Sequence, residues 1–522
     1  MRVTTDVTSP QKLDGSAHVA LGLEVPSVTE PPSNSDPLEC RSSPALSPAS
    51  ERIVYGVALV LGVWLCVASA AWRIPPDVRL GGTFAFVPSA GLWVRRGVGY
   101  VGILALYAFW LWRSFAGPFA HSRGATSFEK LALVALPAFA VAFVAYPTTT
   151  DVYTYLHSAR MWIGGDNPYL VPAGDATSEF SPLIVWRQTS TYGPVAQLVF
   201  WMAALFTPVS LTTAVYAYKA LCLAAHVANA YGIWRLLVES RWRTTLTTAY
   251  LLCPVLLFEQ VAEGHIEVFL ISATLVLFGA LSRGRVVLAC CALLVGALIK
   301  VVPVIWAPLL AVFLVRQRRF REIAVALAIA VVLIAACAQL LLPRPSAWKS
   351  LFNPGVSWKT WGSVHYVVLW TAERLGRVAA GIKPYRVLRV FTLGSQALYA
   401  GWYFALLRKV YTRDDGDMTR LGLDISWSVL LLFLFTTPWY MAWYATLLVP
   451  MAVLTLGRAS SEGEKTLAWA ALVYSFASAS HYILSPPGGS RIGFCLATVI
   501  TIVPTVAILV RGHAKALVQT VA

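Results

Sequence analysis

Four stretches of the chain hold residues able to do chemistry, and each lies against an apolar run. In YPTTTDVYTYLHSARMWIGGDNPYL, residues Tyr146 to Leu170, the acid Asp151 follows the run LALVALPAFAVAFVAYP. An aspartate there can cap the next helix. It can also be a general base that removes a proton from a hydroxyl attacking an activated carbon. If a helix starts at Asp151, then Tyr155, Ser158 and Trp162 share its face at i+4, i+7 and i+11. One acid on an aromatic face suits a sugar. The GGDNPY breakers then end that helix.

FEQVAEGHIE (Phe258–Glu267) sets three acids and a histidine within nine residues, Glu259 to Glu267. Beside membrane spans these are costly if they face lipid. Glu263, His265 and Glu267 can be read as metal ligands, although the spacing matches no established zinc motif. They can equally bond substrate hydroxyls, with His265 facing a leaving phosphate, or belong to a loop that only needs solubility. Lys300 interrupts LACCALLVGALIKVVPVIWAPLLAVF, where a lysine costs about 2.5–3.5 kcal/mol at a helix centre. At an outer turn it can snorkel or bind an anionic lipid phosphate as a point charge. Pro303 and Pro308 break the helix after it, which favours the phosphate. Arg160, Arg187, Lys359 and His365 are further candidates for that task. In NPGVSWKTWGSVHY (Asn353–Tyr366), Trp358 and Trp361 are interface-belt residues or stack on a sugar. The expected substrate contacts are Tyr153, Tyr155, Glu267, Tyr192, Trp358 and His365.

The elements that must position these residues are membrane helices. The 522 residues are 57% hydrophobic and 13% charged, with a mean hydropathy of +0.65. That is about half the charge of a soluble chain, and many apolar runs approach the roughly 20 residues that cross a bilayer. The chain is expected to be an all-α polytopic transmembrane bundle of about 12–15 helices. Its formal charge of +16 does not imply a nucleic-acid partner. The basic residues cluster in short loops, RQRRFRE, SRGR, ESRWR and RGHAK, and so report topology. Seven of the eight cysteines lie in apolar segments without metal or disulfide spacing.

Residues 1–50 hold nine Ser, seven Pro, six acids and three Lys or Arg. With no basic n-region before an apolar run this is not a signal peptide, and a disordered cytoplasmic tail is expected. Residues 51–522 then form the membrane domain. With the basic loops and both termini inside, residues 148–192 form an outer loop carrying amphipathic helices. Residues 343–383 form a second outer loop, in which Tyr366–Lys383 makes an interfacial helix. Tyr192–Phe206 breaks the parity and reads as a re-entrant or partial helix. Asp151, Tyr153, His157, Arg160, Arg187, Glu259, His265, Glu267, Lys300, Lys359 and His365 all fall on the extracytoplasmic side.

The run TTTDVYTYLHSARMWIGGDNPYLVP…STYGPVAQLVF is similar to the first outer loop of GT-C superfamily membrane glycosyltransferases. It looks most like that of bacterial polyprenol-phosphate-mannose-dependent α-mannosyltransferases. GHIE, SRGR, GALIKVVP and TTPWYMAWYATLLVPMAVL resemble later motifs of those enzymes, in order, over roughly residues 130–455. The resemblance implies an inverting transfer of a sugar, most simply mannose, from a polyprenyl-phosphate donor to a glycan or glycolipid hydroxyl at the outer face. It places Asp151 as the base and Lys300 and His265 near the donor phosphate, with no cofactor and no metal. Many relatives carry Gln-x-Asn where this chain has His265 and Glu267, and the two spans before Leu131 exceed the minimal core. No Walker A sequence, Gly-rich nucleotide turn or catalytic serine motif supports nucleotide chemistry. A secondary transporter is the rival reading, although it usually shows matched halves and a midplane site. A non-catalytic lipid-binding protein, indifferent to Asp151, is the third.

Overall fold

The computed structural model describes residues 47–70, 90–116, 126–352, 360–378, 381, 383–413, 417–484 and 491–521. Most of the expected N-terminal tail, together with Trp358 and Lys359, lies outside the described residues. The described residues are helical throughout, apart from loops and one isolated bridge between Trp361 and Trp439.

The chain opens with α1 (Pro48–Ala70), α2 (Ala90–Ala116) and α3 (Phe128–Val144). Then come α4 (Asp151–Ile163), the 11-residue α5 (Pro194–Ala204) and α6 (Leu211–Leu236). After α7 (Arg243–Leu251) and the single turn α8 (Pro254–Leu256), the backbone widens into a π-helical turn over Leu257–Ala262. α9 (Glu267–Leu281) and α10 (Val286–Ile299) form a hairpin. A 3-10 turn, Val302–Trp306, leads into α11 (Ala307–Arg316). α12 (Phe320–Leu340), α13 (Pro345–Phe352), α14 (Val364–Val378) and α15 (Pro384–Thr412) follow. The chain ends with α16 (Met418–Leu431), α17 (Leu448–Arg458), α18 (Glu462–Ser478), α19 (Ser480–Leu484) and α20 (Arg491–Val521).

Local sequence explains the helix boundaries. Pro194 and Pro384 start α5 and α15 at the position where a missing N–H is harmless. Ser210 caps α6 by accepting from Thr213 N at 2.9 Å. At α18, Ser461 accepts from Glu464 N at 3.3 Å while the Glu464 carboxylate accepts from Ser460 N at 2.7 Å, a capping-box exchange displaced by one residue. Among the described residues, seven helices are long and apolar enough to cross a membrane, and five shorter apolar helices accompany them. α12 shows what the surrounding medium must be. Its sequence is strongly apolar, yet none of its residues is buried, and Leu327, Val331, Val332 and Leu340 are each at least 60% exposed. Such a surface is stable in lipid and not in water. The protein is a multi-pass membrane protein.

α5 spans only about 16 Å at 1.5 Å per residue, well short of the ~30 Å hydrocarbon core. The parity problem at residues 192–206 therefore has a physical source: the segment is a partial helix. Loops expected on one side also meet. Arg243 Nε donates to Trp234 O at 2.9 Å and Arg458 Nη2 to Leu236 O at 2.8 Å, so ESRWR and the loop after α17 share one end of the bundle.

One buried cation escapes notice in the sequence. Lys219 of α6 is fully buried, and its Nζ donates to Ala142 O at 3.4 Å and to Ala145 O. It satisfies carbonyls left open at the end of α3, directly before the loop that delivers Asp151.

Candidate active site

Asp151 is the first residue of α4, and the flanking cap position belongs to Thr150, whose side chain makes no cap bond. The Asp151 carboxylate does not cap the helix either: its side-chain partners are Tyr155 and His265. Tyr155 Oη donates to Oδ2 at 3.5 Å, and His265 Nε2 lies 3.9 Å from the same oxygen. The carboxyl is buried. Burial chiefly, then the negative charge of Glu267, raises its pKa to about 7 against the opposing charge of Lys300. A carboxylate tuned there can take a proton near neutral pH.

The loop before Asp151 is fixed by Glu263. Glu263 Oε2 accepts from Thr148 N and Thr149 N, both at 2.8 Å, while Oε1 accepts from Thr148 Oγ1 at 2.5 Å. Arg96 of α2 stands 3.5 Å from Oε1 and donates to Thr148 Oγ1 at 2.7 Å. Gly264 then turns the chain with φ +72°, a conformation glycine adopts freely. An added Cβ there would lie 3.3 Å from the Tyr218 ring. This turn directs His265 inward from the GHIE loop.

His265 is fully buried and stacked on Trp443, with centroids 4.1 Å apart and planes at 13°. Its Nδ1 faces Glu259 O at 3.2 Å and Glu259 Oε2 at 3.3 Å. Burial, helped by Lys300, holds the imidazole well below its ordinary pKa. Lys300 ends α10 in an extended conformation, φ −151° and ψ 145°. The α10 helix therefore stops where Lys300 must turn out. Its Nζ pairs with Glu267 at the start of α9 and lies 3.9 Å from the centroid of Tyr444 and 5.8 Å from that of Tyr192. Burial disfavours the ammonium, yet Glu267 and Tyr444 hold its pKa above the usual lysine value.

Tyr192 reaches this place through a close backbone approach. Gly193 N donates to Ile299 O at 3.0 Å, and a Cβ on Gly193 would lie 2.0 Å from Leu298 O. Tyr192 Oη bonds Tyr155 Oη at 3.2 Å, and the Tyr155 ring stacks on Phe200 at 4.5 Å. Asn167 of the NPY turn donates to Leu341 O at 2.8 Å and accepts from Tyr169 N at 2.9 Å. Tyr169 in turn donates to Tyr192 O at 2.7 Å.

Asp151, Tyr155, Tyr192, His265, Glu267 and Lys300 are thus brought together. Four candidates are not, and of these Arg187 is exposed on the loop between α4 and α5. Arg160 lies nine residues along α4, about 13 Å by helix rise, where it is bound by Glu179 at 3.0 Å. His365 is buried between α14 and α15, with Nε2 at 3.2 Å from Ser395 Oγ and its ring against Phe391. Burial lowers its pKa to about 4. Tyr153 points into the core, because two residues of helix turn it away from the Asp151 face. Glu263, His265 and Glu267 do not converge as metal ligands. Each engages a different partner, and among the described residues no group of three such side chains could hold a metal ion.

Sequence reasoning missed Arg96, Glu259 as a partner of His265, and the ring pair Trp443–Tyr444. The signals were present as an arginine pair inside an apolar run (VRRGVGY) and the aromatic density of TTPWYMAWY. Trp361 N donates to Pro438 O at 3.1 Å and Tyr440 N to Trp361 O at 2.8 Å, so Trp361 is tied to that second motif.

An all-helical membrane bundle with a buried acid, a lysine and edge-to-face tyrosines gathered at one end defines a class of multi-pass membrane enzyme scaffolds. The comparison with protein families is more specific. The model of the MptA_B family, alpha-(1->6)-mannopyranosyltransferase, N-terminal domain, matches residues 53–316, just over half of the chain, and the chain belongs to that family. It is a mannosyltransferase-family glycosyltransferase. The match begins inside α1, so α1 and α2 belong to the family's domain instead of being an addition to it. No curated protein matches the chain. Asp151, His265, Glu267 and Lys300 all lie inside the matched segment, whereas Trp443 and Tyr444 lie beyond it.

Proposed function

We propose that the chain transfers mannose, with inversion, from a polyprenyl-phosphate donor to a hydroxyl of a glycan or glycolipid at the extracytoplasmic face. Asp151 is the general base. The acceptor oxygen bonds to the sugar C1 as the C1–phosphate oxygen bond breaks, and Asp151 takes the hydroxyl proton. The phosphate leaves with the bonding electrons, and Lys300 is the cation that receives it. Tyr155 and Tyr192 offer ring faces and hydroxyls to the sugar. The donor is already activated, so holding, aligning and one base suffice.

The observation that carries this reading is Asp151 itself. It is a buried carboxyl ionising near neutrality, clamped by Glu263 through the preceding loop and not used as a helix cap. The family match supports mannose as the sugar. The shared end of the basic loops supports an orientation with both termini cytoplasmic, residues 1–50 as a cytoplasmic tail and 51–522 as the transfer domain. A midplane transporter site receives no support, because Lys300 lies at a helix end and not within a span.

The test is transfer by membranes carrying wild type or Asp151→Asn, supplied with radiolabelled polyprenyl-phosphate mannose and a mannan acceptor. At equal expression the variant should fall by roughly 10²–10⁴-fold, the scale of a lost general base. Equal transfer by the two would remove Asp151 from the mechanism. No transfer by either would remove the donor.

A further inference from the structure

At the active site Asp151, Tyr155, His265 and Glu267 are buried, while Lys300, Tyr192 and Tyr444 keep part of their surface exposed. The mouth of the site therefore opens past those three residues. Beyond Tyr444 the aromatic surface does not stop. The Trp439 side chain is a hydrogen-bond partner of the Tyr444 hydroxyl, and two further indoles meet Trp439. Trp186 lies against it edge to face, with centroids 5.6 Å apart and planes at 83°. Trp361 lies 5.8 Å from it with planes at 31°. All three indoles are half-buried. They come from three separate loops, α4 to α5, α13 to α14, and α16 to α17.

The rings are held in place by the backbone around them. Trp361 pairs with Trp439 through the isolated bridge. Gly362 follows at φ +58°, where an added Cβ would lie 2.4 Å from Tyr440 O, so glycine is what lets the two segments come this close. Phe494 backs the Trp361 ring at 4.2 Å. The segment after Trp186 is fixed by Gly174 N, which donates to Arg187 O at 3.1 Å, and by Ala173 N, which donates to Gln188 O at 3.2 Å. Indoles set in advance offer a large contact area at little ordering cost. Tryptophans of an interface belt sit at the headgroup level with their rings toward lipid. Here the indoles meet one another across three loops and lead to the mouth of the site. A pyranose suits such a surface, because its C–H face packs on an aromatic ring while its rim of hydroxyls takes hydrogen bonds. Arg187, exposed and next in the chain to Trp186, carries donors for such a rim.

We propose that Trp186, Trp439 and Trp361 form a glycan subsite that holds sugars of the acceptor chain beyond the one that reacts. The inference rests on transfer to a glycan hydroxyl and deepens it: the acceptor is recognised over several sugars and not only at the hydroxyl that Asp151 deprotonates. The donor's prenyl chain is the other long substrate, but it must run into the hydrocarbon core, whereas the three indoles stand in loops between helices.

The experiment compares a mannose disaccharide with a hexasaccharide as acceptors for wild type, Trp186→Ala and Trp186→Phe, with the donor KM measured for each. Wild type should show the lower KM for the hexasaccharide. Trp186→Ala should raise the hexasaccharide KM about tenfold, the scale of one lost aromatic contact, and leave the disaccharide KM and the donor KM unchanged. Trp186→Phe, which keeps a ring, should recover most of the difference. An equal loss on both acceptors would mean packing alone. A raised donor KM would put the prenyl chain on the indoles, and no change on either acceptor would make Trp186 a belt residue. Each of these overturns the proposal, as does a wild type indifferent to acceptor length.

Saturation-transfer NMR provides a readout independent of turnover and of the donor. Irradiating the aromatic protons of the solubilised protein should saturate C–H protons of the hexasaccharide's inner sugars, and Trp186→Ala should weaken that transfer. Its absence in wild type overturns this inference even if mannose is transferred. Its presence in a wild type that transfers mannose to neither acceptor supports the subsite and refutes the polyprenyl-phosphate donor alone.

Discussion

Replacing Glu263 by glutamine acts mainly on the placement of Asp151, because Glu263 bonds the preceding loop and reaches the carboxyl only through its charge, the last of the causes that raise the Asp151 pKa. Both of its oxygens are used: Oε2 by the N–H groups of Thr148 and Thr149, and Oε1 by Thr148 Oγ1 and Arg96. Gln has one acceptor oxygen. It serves the two backbone donors best, leaving its amide to face the guanidinium of Arg96. Bonds to a charged acceptor contribute roughly 1.5–3 kcal/mol against about 0.5–1.5 for neutral ones. Three weakened bonds therefore amount to about 3 kcal/mol, before Arg96 is counted. Arg96, which also donates to Thr148 Oγ1 at 2.7 Å, loses its own carboxylate partner in the variant, so the loss appears as displacement of Thr148–Thr150 and with it the start of α4. A shift of about 1 Å in a reacting group costs on the order of a hundredfold in rate.

Glu263→Gln should accordingly lower kcat for mannosyl transfer by roughly ten- to a hundredfold while the donor KM changes little, since Lys300 and Tyr192 are untouched. The assay is transfer from a radiolabelled polyprenyl-phosphate sugar in detergent-solubilised enzyme, read beside the thermal unfolding of the same preparation. Unfolding should also begin at lower temperature. Wild-type kcat together with wild-type unfolding would show that the Glu263 bonds neither hold the loop nor place Asp151.

Gly193→Ala sets a Cβ 2.0 Å from Leu298 O, an overlap that must push the Tyr192 loop off the end of α10. It should lower stability by about 1–3 kcal/mol and raise the donor KM, measured by the same transfer assay. Lys300→Met leaves Glu267 buried and unpaired, a change that typically costs about 3–5 kcal/mol; transfer should be lost, and Lys300→Arg should recover stability better than rate.

Much of the bundle was legible because lipid imposes simple rules. Apolar length marks spans, and Pro or Gly marks their ends, which is how Lys300 could be placed at the turn between α10 and α11. The failure of parity at residues 192–206 was also informative, since a helix of 11 residues cannot cross. The roles of individual cations were less legible. Arg160 and Lys300 look alike as positive charges near an outer loop, but Glu179 lies within reach of the first and the active-site acids surround the second. No one-dimensional spacing distinguishes them. His365 had a similar fault: its neighbours Phe391 and Ser395 come from α15, twenty-six and thirty residues away. Arg96 and Trp443 join the site from either side of the motif region, through packing between α2 and the π-helical turn and between the α9 loop and the TTPWYMAWY segment.

The charge balance of the site yields its own prediction. Asp151, Glu259, Glu263 and Glu267 outnumber Arg96 and Lys300, so an arriving phosphate must displace or neutralise something. The Glu267 carboxylate occupies Lys300 and at the same time raises the pKa of Asp151. Glu267→Gln removes both effects while keeping the shape. If Lys300 receives the donor phosphate, its ammonium is then released for that task, and the donor KM should fall. Asp151, relieved of a neighbouring negative charge and closer to an uncommitted Lys300, should ionise at lower pH, so any acid limb should move down. The two shifts have one cause and should appear together in a kcat/KM profile taken at several donor concentrations. A donor KM that rises would mean that Glu267 itself holds the sugar and that the lysine serves only to keep that carboxylate charged.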